Sequence, residues 1–412
     1  MDFNDSPEEA DFRSRAQAWL AANAGGPRST DGAHMDEDEA LAEGKAWQAL
    51  KAEAGFACIA WPKQWGGAGG TPIQQLIFDQ EEAKYGRGYR FFGIGLGMCI
   101  PTILTVGDDE TKTRFTEPAM RGDEIWCQLF SEPSAGSDVA AARTRAMKVD
   151  DGTGDWIVNG QKVWTSGAHW SDYGLLLART DSDVPKHKGL TMFWVDMKSP
   201  GVEVRPIHQA SGESEFNEVY FSDVRIPDSQ RLGDVGKGWG VALVTLMNER
   251  LAVGGGSGPN WPELLSLAQS IPGISGEGSA ADDGGFRQRL AKWYVAAEGL
   301  RYTRYRILTA LGRGDTPGPE SSIGKVISAR QMQEIGEEAL NRLDQFGILD
   351  GSEIADVPLG AFQHNWFWGA AMRIAGGTDE ILKNIIAERV LGLPQDIRVD
   401  RDIAFKDIPR GA

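Results

Sequence analysis

Apolar residues change their spacing twice along this chain, and that double switch limits what it can fold into. From Phe12 to about Arg121 they recur three and four apart, as in Trp47, Leu50 and Ala54. Breaks fall at Pro62, in the Gly66–Gly70 cluster and at Pro101, so this stretch predicts a set of helices. Short runs of strand composition follow: Ile125–Phe130, Trp156–Val158, Lys162–Trp164, Tyr173–Arg179, Leu190–Val195, Val202–Pro206 and Glu218–Phe221. Asn159-Gly160 between two of these runs predicts a two-residue hairpin turn, because both central residues of such a turn need positive φ. From Gly238 the helical spacing returns through Leu243, Leu246 and Leu251, and again through Leu290, Trp293, Ala297 and Leu300. A loop rich in Gly, Ser and Pro is expected between Gly254 and Gly285. Beyond it the pattern predicts a helix over Ile323–Leu343, an irregular segment around Gly347–Gly360, and a last helix near Glu380–Leu391, stopped at Gly392-Leu-Pro394. The expected order is helices, then strands, then helices, with no repeat of 20–50 residues.

A length of 412 residues suits two or three domains, or one multi-layer unit. Hydrophobic residues at 41 % and charged residues at 25 % place the chain among ordinary globular proteins and away from disordered or fibrous ones. Forty-two Lys and Arg against 59 Asp and Glu leave a formal net charge of −17, which disfavours nucleic acid and anionic lipid as partners over most of the surface. Cys58, Cys99 and Cys127 are odd in number and far apart, so neither a disulfide framework nor a cysteine zinc site is indicated. The acidic start, MDFNDSPEEADFRSR, lacks the features of a secretory signal or a transit peptide, and no apolar run reaches about 18 residues. The expectation is a soluble, cytoplasmic protein without membrane insertion.

Several chemistries fail on spacing. Gly93-Ile-Gly95-Leu-Gly97 is followed by Met98 rather than by the pattern of a dinucleotide loop, and Gly324-Lys325 lacks the companions of a phosphate loop. Gly256-Ser257-Gly258 is no nucleophile elbow. His34, His169, His187, His208 and His364 are scattered and form no metal-ligand pair. Gln128-Leu-Phe130-Ser131-Glu-Pro-Ser-Ala-Gly-Ser137-Asp138, leaving a strand, stands out, together with Lys162-Val-Trp164-Thr165-Ser166-Gly167 about 25 residues later. Small side chains let a flat ligand approach backbone amides, and Trp164 offers an aromatic wall. A Ser/Gly turn beside a core tryptophan describes the same residues.

These two segments belong to a longer set. WPKQWGGAGG at 61–70, SEPSAGSDVA at 131–140, VNGQKVWTSGAHWSDYGLLLART at 158–180, PGVEVRPI at 200–207, FNEVYFSDVRIP at 216–227 and IAGGTDEILKNIIAERVLGLP at 374–394 occur in the order seen in acyl-CoA dehydrogenases, and the chain resembles that family over nearly its whole length. The resemblance implies an α+β multidomain fold: an N-terminal helical domain (1–124), a middle β-barrel-like domain (125–235) and a C-terminal four-helix-bundle domain (236–412), assembling as a homotetramer or homodimer. It further implies FAD as cofactor, acyl-CoA as substrate and an electron-transferring flavoprotein as electron acceptor. Gln128, Phe130, Ser131 and Ser137 match the family's contacts to the flavin and pyrophosphate. Trp164, Thr165 and Ser166 match the isoalloxazine edge, and Thr378 and Glu380 the pyrophosphate and adenosine end. Ser137, Arg250 and Gly377 match the substrate side, although Arg250 is equally read as a residue that positions its helix.

Two departures from the family pattern matter. The family's commonest catalytic carboxylate directly precedes the Gly-Thr of the C-terminal motif, where this chain has Gly376. A minority branch, which includes isovaleryl- and long-chain acyl-CoA dehydrogenases, supplies it from an Glu-Arg pair earlier in the C-terminal domain. Here that pair is Glu249-Arg250, which makes Glu249 the candidate base; a solvated or ion-paired helical glutamate is the plainer reading. The Gly376 amide remains the implied donor to the thioester carbonyl, and the missing side chain hints at a branched or bulky acyl group. The second departure is at Ala280–Arg289, where the Arg-x-Thr-Phe segment that grips FAD in many members is absent. A flavin-dependent oxidase or monooxygenase on the same scaffold, and a partner subunit of a heteromeric dehydrogenase, are the alternatives.

Overall fold

Ser6 and Thr71 open their helices in the same way. Each hydroxyl accepts from the amide three residues on, the Glu9 or Gln74 side chain at that position accepts from the cap amide in return, and proline follows the cap directly. Such boxes satisfy amides that a helix N-terminus otherwise leaves open. The computed structural model describes residues 5–25, 36–86, 91–252, 258–273, 276–312, 318–349, 353–354 and 357–409. In it these caps start α1 (Pro7–Asn23) and α3 (Pro72–Ala83), with α2 (Glu37–Glu53) between them, and α4 (Ile100–Val106) and α5 (Asp109–Arg121) complete the first helical stretch.

The strands are β1 (Trp126–Leu129), β2 (Arg145–Lys148), β3 (Trp156–Ser166), β4 (Tyr173–Arg179), β5 (Leu190–Asp196), β6 (Val202–Pro206), β7 (Phe216–Ile226) and β8 (Arg231–Leu232). They form one mixed sheet in the order β6-β7-β3-β2-β4-β5-β8, with β1 parallel to β4. β4 shows how the sheet is held. Leu175 and Leu177 enter a core with Ile100, Phe115 and Trp126, whereas Leu176 and Ala178 enter a second core with Val158, Phe193 and Phe221. A strand covered on both faces carries a continuous apolar run, as this one does. The second core draws on β1, β2, β3, β4, β5 and β7, so most of the sheet contributes to it.

Asn159-Gly160 does not turn the chain. β3 runs straight through it, and the pairing with β7 slips by one residue there, which is a β-bulge. Asn159 and Asp223 exchange hydrogen bonds of 2.9 Å across the bulge. Gly160 adopts a φ of +152°, and a Cβ on it would lie 2.7 Å from Thr144 Cα, so the glycine answers a close approach rather than a hairpin.

The chain divides into two compact units: one holds residues up to 36, 71–87 and 253–394, the other 37–70, 88–252 and the segment from 395. The sheet, α2, α4, α5 and α6 (Gly238–Ala252) lie in the second. The first contains α1, α3, α7 (Trp261–Ser270), α8 (Gly284–Gly312), α9 (Ser321–Leu343), a small ladder of β9 (Glu353–Ile354) with β10 (Val357–Pro358), α10 (Leu359–Met372) and α11 (Asp379–Ile385). Leu264, Leu267, Phe286, Trp293, Ile335 and Phe362 form its core.

Two helices correct the sequence reading. α7 lies inside the stretch expected to be a loop: Asn260 caps it, and Leu264, Leu267 and Ala268 bury one face, a short signal masked by flanking Gly and Ser. α10 follows on from the segment read as irregular, and it fits against α9 only through glycine. A Cβ at Gly336 would meet Trp366 N at 2.8 Å, and one at Gly369 would meet Gln333 N at 2.8 Å. Among the described residues no helix is long and apolar enough to cross a membrane.

Candidate active site

β1 ends at Leu129 and releases the hydroxylated run, whose course is set by a buried ion pair. Lys162 of β3 donates to the Phe130 carbonyl at 3.0 Å and to Glu132 Oε1 at 2.7 Å. Glu132 also accepts from the amides of Arg143 at 2.6 Å and Thr144 at 2.9 Å, so one carboxylate ties both ends of the loop 132–144 to β3. Burial works to raise the Glu132 pKa, but the Lys162 ammonium and the two amides outweigh it and hold the carboxyl below its ordinary 4.5. Burial in turn pulls the Lys162 ammonium below its ordinary value, against the Glu132 charge. The sequence reading missed this pair. Its signal was a lysine inside a strand run beside Val163 and Trp164.

The Val163 amide donates to the Ser131 carbonyl at 2.9 Å, so the two segments singled out from the sequence lie side by side. Gln128 and Ser131 are half-buried, Phe130 is buried, and Ser137 stands exposed farther along the loop. On the neighbouring arm the pairing of β3 with β7 slips again between Lys162 and Thr165. Trp164 sits in that slip with a φ of +61°, in the left-handed region that a bulky residue rarely occupies, and its side chain is 58 % exposed with an edge contact to Phe216. The core-tryptophan alternative therefore falls, since the bulge turns the ring outward while Val163 and Thr165 on either side stay buried. Thr165 is 2 % exposed, and its Oγ1 has no hydrogen-bond partner among the described residues. Asn217, fully buried, holds the arm by donating to the Thr165 carbonyl at 3.0 Å. Strain of this kind persists where the surroundings over-determine it, and such places cluster at ligand sites. A flat group with polar edges lying along the arm would cover Trp164 and supply a partner to Thr165, so the residues present fit an isoalloxazine ring.

Glu249 lies near the end of α6. Val241, Ala242 and Thr245 bury the face of that helix against the sheet-side core, with Thr102 donating to Thr245 Oγ1 at 2.9 Å. Glu249 is one turn beyond Thr245 on the same face and is half-buried. The Arg250 side chain and residues 253–257, which include the small-residue run after it, lie outside the described residues, as does His34.

In the other unit, Gly376 and Gly377 have φ of +65° and +93° in the turn between α10 and α11. Lys325 donates to the Gly377 carbonyl at 2.5 Å, and Arg373 closes the turn onto buried Asp379 at 2.8 Å. The Thr378 hydroxyl caps α11 by accepting from the Ile381 amide, and Glu380 is exposed in the first turn. In the Ala280–Arg289 stretch, the Arg289 guanidinium is engaged by Glu338 at 2.8 Å. No group of His, Cys, Asp and Glu suited to a metal ion occurs among the described residues.

A sheet domain that helical segments precede and follow along the chain, carrying an outward aromatic arm beside a hydroxylated loop, is the architecture of the acyl-CoA dehydrogenase fold. Family models agree along the chain: the acyl-CoA dehydrogenase N-terminal domain matches residues 6–123, the middle domain 127–224 and the C-terminal domain 236–391. The chain is similar to the acyl-CoA dehydrogenase IpdE1 of Mycolicibacterium smegmatis, at 35 % identity over 95 % of this chain and 99 % of that one. It is also similar to the acyl-CoA dehydrogenase FadE34 of Mycobacterium tuberculosis, at 39 % identity over 94 % of this chain, and spans about half of that protein's length, 51 %. Among solved structures, the ChsE4-ChsE5 complex of Mycobacterium tuberculosis matches with a TM-score of 0.77 and 26 % identity, covering 96 % of this chain and 100 % of that one. The chain belongs to the acyl-CoA dehydrogenase family.

Proposed function

We propose that the protein desaturates the α,β bond of an acyl-CoA thioester to the trans-2-enoyl-CoA, with FAD as cofactor and Glu249 as the base. The observation that carries this reading is the strained, outward Trp164 beside the orphaned Thr165 hydroxyl, on the arm that flanks the Ser131–Ser137 loop. Bound FAD supplies the acceptor for the hydride leaving the β carbon. Gln128, Phe130, Ser131 and Ser137 hold the flavin and pyrophosphate, Trp164, Thr165 and Ser166 border the ring, and Thr378 and Glu380 serve the adenosine end. Glu249 takes the α proton; the stripe of Val241, Ala242 and Thr245 anchors its helix so that the carboxylate is presented at a fixed height. The Gly376 amide donates to the thioester carbonyl as charge develops there, a contribution of about 3–4 kcal/mol that needs no side chain. Ser137, Arg250 and Gly377 are the substrate-side residues of this reading, and the absence of a side chain at 376 favours a branched or bulky acyl group.

Anaerobic titration of the FAD-loaded enzyme with a panel of acyl-CoA esters tests the reading. One structural class of ester is expected to bleach the flavin absorbance, and Glu249→Gln is expected to keep the flavin and slow bleaching by roughly 10²–10⁴-fold. Bleaching at the wild-type rate in that variant would remove Glu249 as base. The similarity to a chain solved in the ChsE4-ChsE5 complex supports a second reading of the assembly, in which this chain pairs with a related subunit instead of its own copies. Native mass spectrometry of the protein expressed alone distinguishes them: a flavin-loaded homo-oligomer favours the first.

A further inference from the structure

Beyond Asp138 the loop is held by two cations, and the segment after residue 395 covers both. Arg179 donates to the carbonyls of Ala140 at 2.5 Å, Ala142 at 3.1 Å and Lys186 at 2.6 Å, so its guanidinium gathers the turn that follows the flavin loop. Phe405 lies under that guanidinium, 3.8 Å from Cζ to the ring centroid, and is 6 % exposed. The Phe405 and Lys406 amides donate to the carbonyls of Val184 and Ser182 at 2.9 and 3.0 Å, and Ala404 bridges to Pro185. Lys186 then joins the two segments directly. Its ammonium contacts Asp138, the neighbour of Ser137, at 2.7 Å, and Asp400 at 2.6 Å.

We infer that residues 400–406 form a strap that sets the Ser131–Asp138 loop for the cofactor, with Phe405, Asp400 and Lys186 as its positioning residues. The chemistry supports this division of labour. Arg179 has its donors on carbonyls while the charges of Glu132, Asp138 and Asp181 act on it through space, and the face of Phe405 directly under the desolvated guanidinium adds an electrostatic and dispersive partner. Lys186 between two carboxylates is a bridge that loses its outer half when Asp400 is removed, which unties the strap from Asp138. The apolar plug and the ion pair reach the turn after Ser137 through Arg179 and Lys186, and the backbone ladder to residues 182–185 fixes the segment that carries both.

The inference rests on the flavin reading, and the test separates the two. In the full-length chain, Asp400→Asn and Phe405→Ala are expected to weaken FAD binding, followed by quenching of flavin fluorescence, about tenfold each, the scale on which outer partners of a bound group act. Lys186→Met is expected to behave alike and Lys186→Arg to recover most of the affinity. Amide hydrogen exchange in the FAD-free protein is expected to rise over residues 135–142 in Asp400→Asn, while residues of β4 and β5 keep their protection. Asp400→Asn removes one half-exposed ion pair and leaves the cores intact, so it answers the question even where Phe405→Ala does not fold. Unchanged exchange at 135–142 together with wild-type FAD affinity in Asp400→Asn would overturn the strap. A wild-type chain that binds no FAD would remove the flavin reading alone, because the exchange measurement still reports on the strap.

Discussion

Glu132 and Trp164 illustrate opposite single-residue economies. The Glu132 carboxyl has its folded-state pKa lowered, so its contribution to stability is fully present above the unfolded value near 4.5 and is lost as the pH falls through the folded value. Wild-type melting temperature is therefore expected to decline below about pH 4.5 more steeply than that of Glu132→Gln. At neutral pH the variant is expected to be destabilised by roughly 3–5 kcal/mol, because Lys162 is left buried without its partner charge. Denaturant titrations at pH 4 and pH 7 check both statements. Trp164 behaves in the reverse sense, since its left-handed backbone is a cost the FAD-free protein carries. Trp164→Asn, a residue that tolerates this region, is expected to raise the stability of FAD-free protein by about 1 kcal/mol and to weaken FAD binding. A fall in stability would mean that the ring is worth more to the fold than its exposure suggests. The residue types at both positions were visible in the sequence; that Lys162 reaches back to Glu132 across thirty residues was not, because the stretch between them, a loop followed by β2 and the start of β3, has no local pattern that demands it.

Among the elements, the α9–α10 pair sets the sharpest demand. Alanine is ordinarily better than glycine inside a helix by roughly 1 kcal/mol. Gly336→Ala is nevertheless expected to destabilise the protein by about 1–3 kcal/mol, because a Cβ there would press on the Trp366 amide and the Phe362 carbonyl, neither of which can yield without moving α10. A lower urea midpoint with unchanged slope would show this, and a higher midpoint would show that the helices part easily. The same lesson explains the misread Asn159-Gly160. The dipeptide announces a residue that tolerates an unusual backbone, but a hairpin and a bulge both ask for one. Only the presence of β7 alongside, with Asp223 opposite Asn159, selects the bulge. α7 was hidden for a related reason: ten residues with one apolar face are too short to stand out among flanking glycines and serines.

For the molecule as a whole, cofactor binding and folding are linked by mass action. FAD at 100 times its dissociation constant is expected to stabilise the chain by about 2.7 kcal/mol, and the melting temperature should keep climbing with the logarithm of the FAD concentration above that constant. A melting curve indifferent to FAD over that range would refute the flavin reading without any assay of turnover. A net charge of −17 sets a further bound, since retention on immobilised nucleic acid at physiological salt is not expected of such a surface.

Periodicity and punctuation were enough to reveal three tiers of helices, strands and helices, because each element advertises the face it buries through spacing alone. The motifs carried the family and singled out the loop and the arm that fold side by side. Packing settled the rest. Whether Trp164 points inward or outward depends on a one-residue slip against β7, and a slip of that size inverts the face that every later side chain presents. The clamp of Lys162 on Glu132 and the cover of Phe405 on Arg179 join residues that are distant in sequence, and a buried charge or a stacked ring has no partner until the chain has folded to bring one.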